Sequence, residues 1–449
     1  VDPVDRDAVA HTIDPTDGPS ANSTAWPRYA ASTMQRPTTA RLPDSQVGVS
    51  TAIARRLRDA GHEAWLVGGC VRDLALGRPS GDVDIATDAR PERVEALFER
   101  TIGVGRAFGT VVVADFGEGV EVTTFRAEGA YSDGRRPDRV AFSDSLEEDA
   151  ARRDFTVNAL FLDPLTDALA DPTGGLADLE TGLLRAIGAP EQRFTEDSLR
   201  VLRLVRFAAT HDLEVEPGTF AAARSTAPLV ARVAKERVLA ELTKTFERGD
   251  LARAIGLIDD LGVAAPAVGR DGEVAGAAER RVAQALGRGP GAEVGFALLL
   301  TGAVVGADAR ARTATLLGDL HPSRELARAV DGLLVGCELL LDDAPDAALV
   351  RARTSVRPSA WRAYVAAFAA AGECFDERHA ERLERLLARW PAERELPAPL
   401  LDARALQELG VERGPGLGAL LRALVDAQIE ERVVTRDDAL ALVRAAPTE

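Results

Sequence analysis

The sequence predicts an α+β domain on a mixed sheet with helices, followed by an all-α array that makes the chain elongated. Three observations carry this. Between residues 47 and 175, short β-branched runs alternate with segments of helical apolar spacing. From Leu176 onward the spacing is helical almost throughout, with breaks rich in Gly and Pro. No repeat of fixed period is present.

Residues 47–62 form the first helix, with Val49, Ile53 and Leu57 on one face. Ala64–Val67 is a short buried strand running into the Gly68-Gly69 turn, and a helix follows over Val71–Leu76. Val83–Ala86 is the second strand, and Pro91–Arg100 a helix with proline in its first turn. Thr110–Ala114 and Val120–Phe125 are strands joined by a glycine-containing hairpin, Asp115–Gly119. The Asp171–Gly175 segment is a turn by composition, either a plain connection or a hinge. Breaks at Gly249-Asp250 and Asp342–Pro345 divide the helical part into 176–250, 251–342 and 343–449; lesser ones fall at Gly262, Gly269–Gly276, Gly287–Gly291 and Pro391–Pro399.

Composition narrows the class. The chain has 449 residues, 46% apolar and 28% charged, which suits two to four globular domains. No run of about 18 apolar residues is present, so no membrane helix is expected. The first residues are acidic and lack the apolar segment of a secretory signal. Three scattered cysteines, Cys70, Cys337 and Cys374, point to a reducing compartment and no zinc site. The net charge of −17 alone argues against a nucleic-acid partner, although a basic groove can exist on an acidic protein. Lys235 and Lys244 are the only lysines, so the cations are almost all arginine: either high-GC coding or a salt-adapted surface. Residues 1–46 are expected to be disordered. The lone methionine, Met34, suggests a natural start near it, with 1–33 as an upstream extension.

The stretch Leu66–Thr87 is richest in chemistry. On a strand, Asp82 and Asp84 project to one face while Val83 and Ile85 turn into a core. Such a pair suits Mg²⁺, which takes oxygen ligands and shares them with substrate phosphates. Gly68 and Gly69 allow close backbone approach to a phosphate, and Arg72 offers a forked cation. This implies metal-dependent phosphoryl or nucleotidyl transfer; the bland alternative is a D-x-D surface turn. Glu121 joins as a third catalytic carboxylate if its strand is adjacent, and is otherwise an exposed strand residue.

Further along, Arg152-Arg153-Asp154 precedes a small apolar run, as an anion site or a solvated helix start would. Thr195–Phe207 reads as one helix with Thr195 as its N-cap. Asp197 and Arg200 then share a face, either as an ordinary i,i+3 salt pair or as a carboxylate and guanidinium that read a base edge. Arg203 and Arg206 continue in steps of three and could stack on a base or meet phosphates. The Gly414-Pro415-Gly416 turn entering a helix is either a phosphate site or a plain helix connection.

Taken in order, Gly68–Asp73, Asp82–Asp84, Arg152–Ala159, Asp171–Gly175 and Glu196–Arg200 resemble the motifs of the class II tRNA nucleotidyltransferase and bacterial poly(A) polymerase family. Lys235-Glu236-Arg237 with Glu241 is similar to its fifth motif, and the likeness runs from about Val47 to Val443. The resemblance implies a DNA polymerase β-like nucleotidyltransferase head at 47–175, then a neck at 176–250, a body at 251–342 and a tRNA-binding tail at 343–449. It implies that Asp82 and Asp84 hold Mg²⁺. It also implies that Gly69, Arg72 and Arg153 contact the nucleotide, and that Asp197 and Arg200 select CTP or ATP without a nucleic-acid template. Gly68, Arg203 and Arg206 complete the expected nucleotide-binding set, while Glu236, Arg237 and Glu241 brace the neck. The partners implied are the tRNA 3′ end, CTP and ATP, in the cytoplasm, with no membrane and no protein partner.

Full CCA addition, CC-only or A-only addition and polyadenylation all stay open. Phe108–Val111 is more like the transferases, and retention of Tyr131–Val140 favours A addition. A non-catalytic RNA-binding relative is the rival from another class. Thr173 stands where an aromatic is frequent in the family, which puts the hinge in doubt. The only His-Asp pair is His211-Asp212, in the neck, so no phosphohydrolase activity is expected.

Overall fold

The computed structural model describes residues 36–79, 82–117, 119–127, 141–391 and 394–445. The head comprises α1 (Asp44–Asp59), β1 (Trp65–Val67), α2 (Gly69–Ala75), β2 (Asp84–Thr87), α3 (Pro91–Leu97), β3 (Thr101–Gly105), β4 (Thr110–Val113), β5 (Val120–Thr124), α4 (Leu146–Ala151), β6 (Phe161–Leu162) and β7 (Leu169–Ala170). Its seven strands lie in the order β3-β4-β5-β2-β1-β6-β7. The β2–β5 pair is parallel and every other pairing in the sheet is antiparallel. It is a mixed sheet, as expected.

Alternation along the strands builds two layers. Leu66, Ile85, Val111 and Val122 enter the main core, whereas Val67, Ala86 and Phe161 join a smaller one with Leu146 and Ala150 of α4. Each fully buried aliphatic side chain contributes roughly 1.5–3 kcal/mol, which fixes the register of these short strands. Three strands escape sequence reading. β3 contains two glycines and shifts register between Ile102 and Gly105, and β6 and β7 are two residues each, too short to show a period.

The neck runs through α5 (Gly175–Thr181), β8 (Leu183–Leu184), α6 (Pro190–Glu196), α7 (Leu199–His211), β9 (Glu214–Val215), α8 (Pro217–Thr226) and α9 (Lys235–Arg248). The parallel β8–β9 pair is its one departure from helix among the described residues. Twelve further α-helices follow among the described residues, from Leu251–Asp260 to Arg436–Ala445. The main core continues from the head through these helices to Trp390 and also takes in Ile429. A separate core, from Leu401 to Ala439, holds the last three helices together.

Gly175 joins head to neck by close approach. A Cβ there would stand 2.1 Å from the Thr156 carbonyl oxygen, so only glycine fits. Asp171 accepts from the Gly175 and Leu176 amides at 2.8 and 2.9 Å and so seals the start of α5.

Two expectations are corrected. Residues 36–46 are ordered: Thr38 Oγ1 donates to Asp167 at 2.7 Å, and the Thr39 amide and hydroxyl both donate to it at 2.9 Å. Leu42 is buried and α1 already starts at Asp44. Pairing to a carboxylate 128 residues away outweighs the polar composition. Thr195 is not an N-cap; it lies inside α6, and its hydroxyl donates back to the Glu191 carbonyl at 2.7 Å. Pro190 in the first turn starts a separate short helix, which breaks the expected single one. Residues 1–35, including Met34, and Tyr131–Val140 lie outside the described residues.

Candidate active site

β2 begins at Asp84, so Asp82 stands two residues before the strand. The alternation still holds: Val83 and Ile85 are buried, Asp84 is half-buried and Asp82 is exposed. β5 is the parallel neighbour, and Glu121 is the register partner of Asp84. Its own neighbours Val120 and Val122 enter the core. Burial, then the charges of Glu121 and Asp82, push the Asp84 carboxyl up to about 6, while Arg153 opposes the shift. A crowd of carboxylates that raises a member's pKa is a hard oxygen donor set short of positive charge, and it fits a divalent cation. No group of three His, Cys, Asp or Glu side chains among the described residues is arranged to hold a metal ion. The fit is therefore to a carboxylate pair completed by water and substrate oxygens, the habit of Mg²⁺.

Beside the carboxylates stands the glycine turn. Gly68 has φ +69° and precedes α2, which starts at Gly69, two residues earlier than the spacing predicts. A Cβ at 68 would stand 3.4 Å from Arg153 Nη1, and one at 69 would stand 3.5 Å from Arg72 Nη2. The turn is thus backed by both candidate phosphate-binding arginines. Arg72 is buried and donates to Asn158 Oδ1 at 2.6 Å and to Asp73 at 2.9 and 3.0 Å. Arg153 donates to Asp149 Oδ2 at 2.9 Å and to the Asn158 carbonyl at 3.3 Å. Asp149 is almost fully buried and also pairs with Arg152. Burial would raise the Asp149 carboxyl, but the charges of Arg153 and Arg152 outweigh it and lower the pKa.

Asp149 and the linking role of Asn158 escape sequence reading. The usable signal is spacing: Asp149 precedes Arg152 and Arg153 by three and four residues on one helical face. Asp154 is a further case. It accepts from Arg203 Nε at 2.7 Å and from Asn158 Nδ2 at 3.0 Å. Burial would raise it, but Arg203 and these hydrogen bonds hold it at about 2.

Asp197 and Arg200 do not share a helical face, and they are not a salt pair. Asp197 caps the end of α6 in an extended conformation, φ −142° and ψ 97°, while Arg200 lies in the first turn of α7. Asp197 Oδ1 accepts from the Leu199 amide at 3.2 Å, and Oδ2 accepts from Arg237 Nη2 at 2.8 Å. Arg200 donates to Glu196 at 3.1 Å, to the Arg193 carbonyl at 3.0 Å and to the Arg152 carbonyl at 3.0 Å. The last bond ties the turn to the head. Arg206 pairs with Glu241. The fifth segment thus braces the turn through Arg237 and α7 through Glu241. Gly414 precedes the helix Pro415–Ile429, whose first-turn proline has no N–H to offer an anion.

The profile of the poly A polymerase head domain matches residues 64–185, and that of the probable RNA and SrmB-binding site of polymerase A matches 212–268. The CCA-adding enzyme of Streptococcus pyogenes is 50% identical over 192 residues, 43% of this chain and 48% of the relative. That of Ligilactobacillus salivarius is 48% identical over 192 residues, 43% of this chain and 47% of the relative. The match thus spans about half the length of these curated relatives. The structure of the Bacillus stearothermophilus CCA-adding enzyme in complex with CTP is 30% identical, covers 90% of this chain and 98% of that chain, and gives a TM-score of 0.71. A polymerase-type head on a mixed sheet, continued by a helical segment that matches the probable RNA-binding profile, defines the class. Within it, the chain belongs to the family of the CCA-adding enzymes. No described helix is long and apolar enough to cross a membrane.

Proposed function

We propose that this protein adds C and A to the 3′ end of tRNA from CTP and ATP, without a nucleic-acid template, by Mg²⁺-dependent nucleotidyl transfer in the cytoplasm. The observation that carries the reading is the pairing of Asp84 with Glu121 across parallel strands, beside a glycine turn backed by Arg72 and Arg153. The likeness to a structure holding CTP supports the substrate class.

In this reading the RNA 3′-hydroxyl attacks the α-phosphate and pyrophosphate leaves. Asp82 and Asp84 would hold Mg²⁺, which when bound supplies Lewis-acid neutralisation of phosphate charge. Glu121 keeps the field at Asp84 negative and so favours cation binding over a lone proton's charge. Gly68 and Gly69 admit the triphosphate against the backbone, and Arg153 and Arg72 balance its charge. Asp197 accepts from the base amino group. Arg200 commits three N–H groups to Glu196 and two carbonyls. A guanidinium carries five, which leaves two for ring acceptors of the base. Arg203 and Arg206 complete the cationic side of the nucleotide site. The segment from 343 to 449 would engage the tRNA.

The test is incorporation with CTP alone, ATP alone and both. The acceptors are tRNAs ending before CCA and after CC, and an unrelated RNA. Addition of CC from CTP and of A once CC is present is expected. Arrest after CC, or addition of A alone, would assign a partial transferase. Tailing of the unrelated RNA would assign a poly(A) polymerase. No incorporation on any acceptor would leave the RNA-binding scaffold.

A further inference from the structure

Phe207 lies in the last full turn of α7 and is buried. Three guanidiniums of the candidate nucleotide site gather on this one ring. The Arg206 carbon Cζ lies 4.0 Å from the ring centroid, that of Arg72 5.1 Å and that of Arg203 5.2 Å. Arg72 comes from the head and the other two from the neck. Three like charges so close repel one another. Each is held at its outer side by a polar partner: Arg72 by Asp73 and Asn158, Arg203 by Asp154, Arg206 by Glu241. The inner side of all three is the aromatic ring, whose electron-rich face attracts cations and accepts the flat guanidinium by stacking.

The ring is itself fixed. Phe155 of the head meets it edge-on, with centroids 5.8 Å apart at 78°. His211, one turn on, stacks on it at 6.0 Å and 23°. Burial, then the charges of Arg72, Arg78, Arg206 and Arg288, hold the His211 pKa well below its ordinary value. The stacked imidazole is therefore neutral and adds no fourth charge to the cluster.

We infer that Phe207 is a positioning residue for the nucleotide, setting the mutual placement of Arg72, Arg203 and Arg206 and coupling the head arginine to the neck pair. The inference rests on the nucleotidyl-transfer reading above. An aliphatic side chain of similar bulk would keep the apolar filling but lose the π face. The arginines would then be held from one side only, and the phosphate end of the nucleotide would be met by a less ordered set of charges. Base selection resides at Asp197 and Arg200 and should be untouched.

The experiment compares Phe207→Leu, Phe207→Met and Phe207→Tyr with Phe246→Leu in full-length protein. Phe246 is an equally buried ring that packs edge-on against Phe296 at 5.1 Å, and it serves as a control for loss of aromatic volume. The measurements are steady-state KM and kcat for CTP and ATP, KM for tRNA, and calorimetric binding of each nucleotide. The Leu and Met variants should raise the nucleotide KM by about tenfold, equally for CTP and ATP, with the tRNA KM unchanged. Phe207→Tyr should restore the nucleotide KM, and Phe246→Leu should lower Tm without moving it. Having two aliphatic variants keeps the test decisive should one fail to fold. A wild-type nucleotide KM in both aliphatic variants, or the same rise in Phe246→Leu, would overturn the inference and leave the function standing. Wild-type protein that neither incorporates nor binds nucleotide would overturn the function, and this inference with it.

Discussion

Arg237 Nη2 donates to Asp197 Oδ2 at 2.8 Å, across the gap between α9 and the end of α6. Both side chains are partly exposed, so the pair is worth less as stability than as orientation. Held this way, Asp197 presents a fixed acceptor rather than a rotating one. Arg237→Ala should therefore lower the preference for CTP and ATP over GTP and UTP by roughly tenfold, the scale of one charge-assisted hydrogen bond. Asp197→Ala should lower it further. Competition assays with all four nucleotides check this; unchanged selectivity in Arg237→Ala would deny the brace.

Asp84 makes the opposite trade. Its folded pKa, about 6, lies above the ordinary 3.8, so the ionised carboxylate destabilises the metal-free fold. The penalty is full above about pH 6 and gone below about pH 4. Asp84→Asn should stabilise the protein in EDTA at pH 8 by about 1–3 kcal/mol, and the gain should vanish toward pH 4. Added Mg²⁺ should raise the Tm of wild type more than that of the variant. Thermal melts across pH, with and without Mg²⁺, read both effects.

Asp154 carries the reverse sign. Its folded pKa of about 2 is depressed below 3.8, so its stabilisation is present above about pH 4 and lost as pH falls toward 2. Asp154→Asn leaves half-buried Arg203 without its nearest charge partner and should cost about 2–3 kcal/mol at neutral pH. The Tm gap to wild type should narrow between about pH 4 and pH 2. A gap that stayed constant over that range would show that Asp154 is not charged in the fold.

Gly175 and Gly174 separate close approach from backbone conformation. A Cβ at 175 meets the Thr156 carbonyl, whereas Gly174 has φ +79° with open space around it. Gly174→Ala should cost about 1 kcal/mol, and Gly175→Ala more than 4 kcal/mol. Urea titration of both variants measures the difference.

Much of this was legible in the sequence for physical reasons. The alternation around Val83 and Ile85 declares a strand with a polar face, and the apolar partners of Glu121 do the same for β5. Neither segment says that the two strands are neighbours; that depends on how five other strands order themselves. The break between α6 and α7 was misread because the apolar spacing runs straight through it. Only the extended backbone at Asp197 marks the junction. The order at Thr38 and Thr39 was hidden because their partner, Asp167, lies far along the chain. Asp149 was missed because a buried acid clamping two arginines looks, in sequence, like any charged helix.

In the proposed function, Asp82 and Asp84 make this chain a nucleotide-adding enzyme. The direct measurement is radiolabelled CTP and ATP incorporation into a tRNA lacking CCA by the Asp82→Ala, Asp84→Ala double variant, alongside tRNA binding by the same protein. No incorporation is expected, with tRNA affinity within about twofold of wild type, because in this reading the two acids meet only the RNA 3′ end while residues 343–449 engage the rest of the tRNA. Incorporation at the wild-type rate would contradict it.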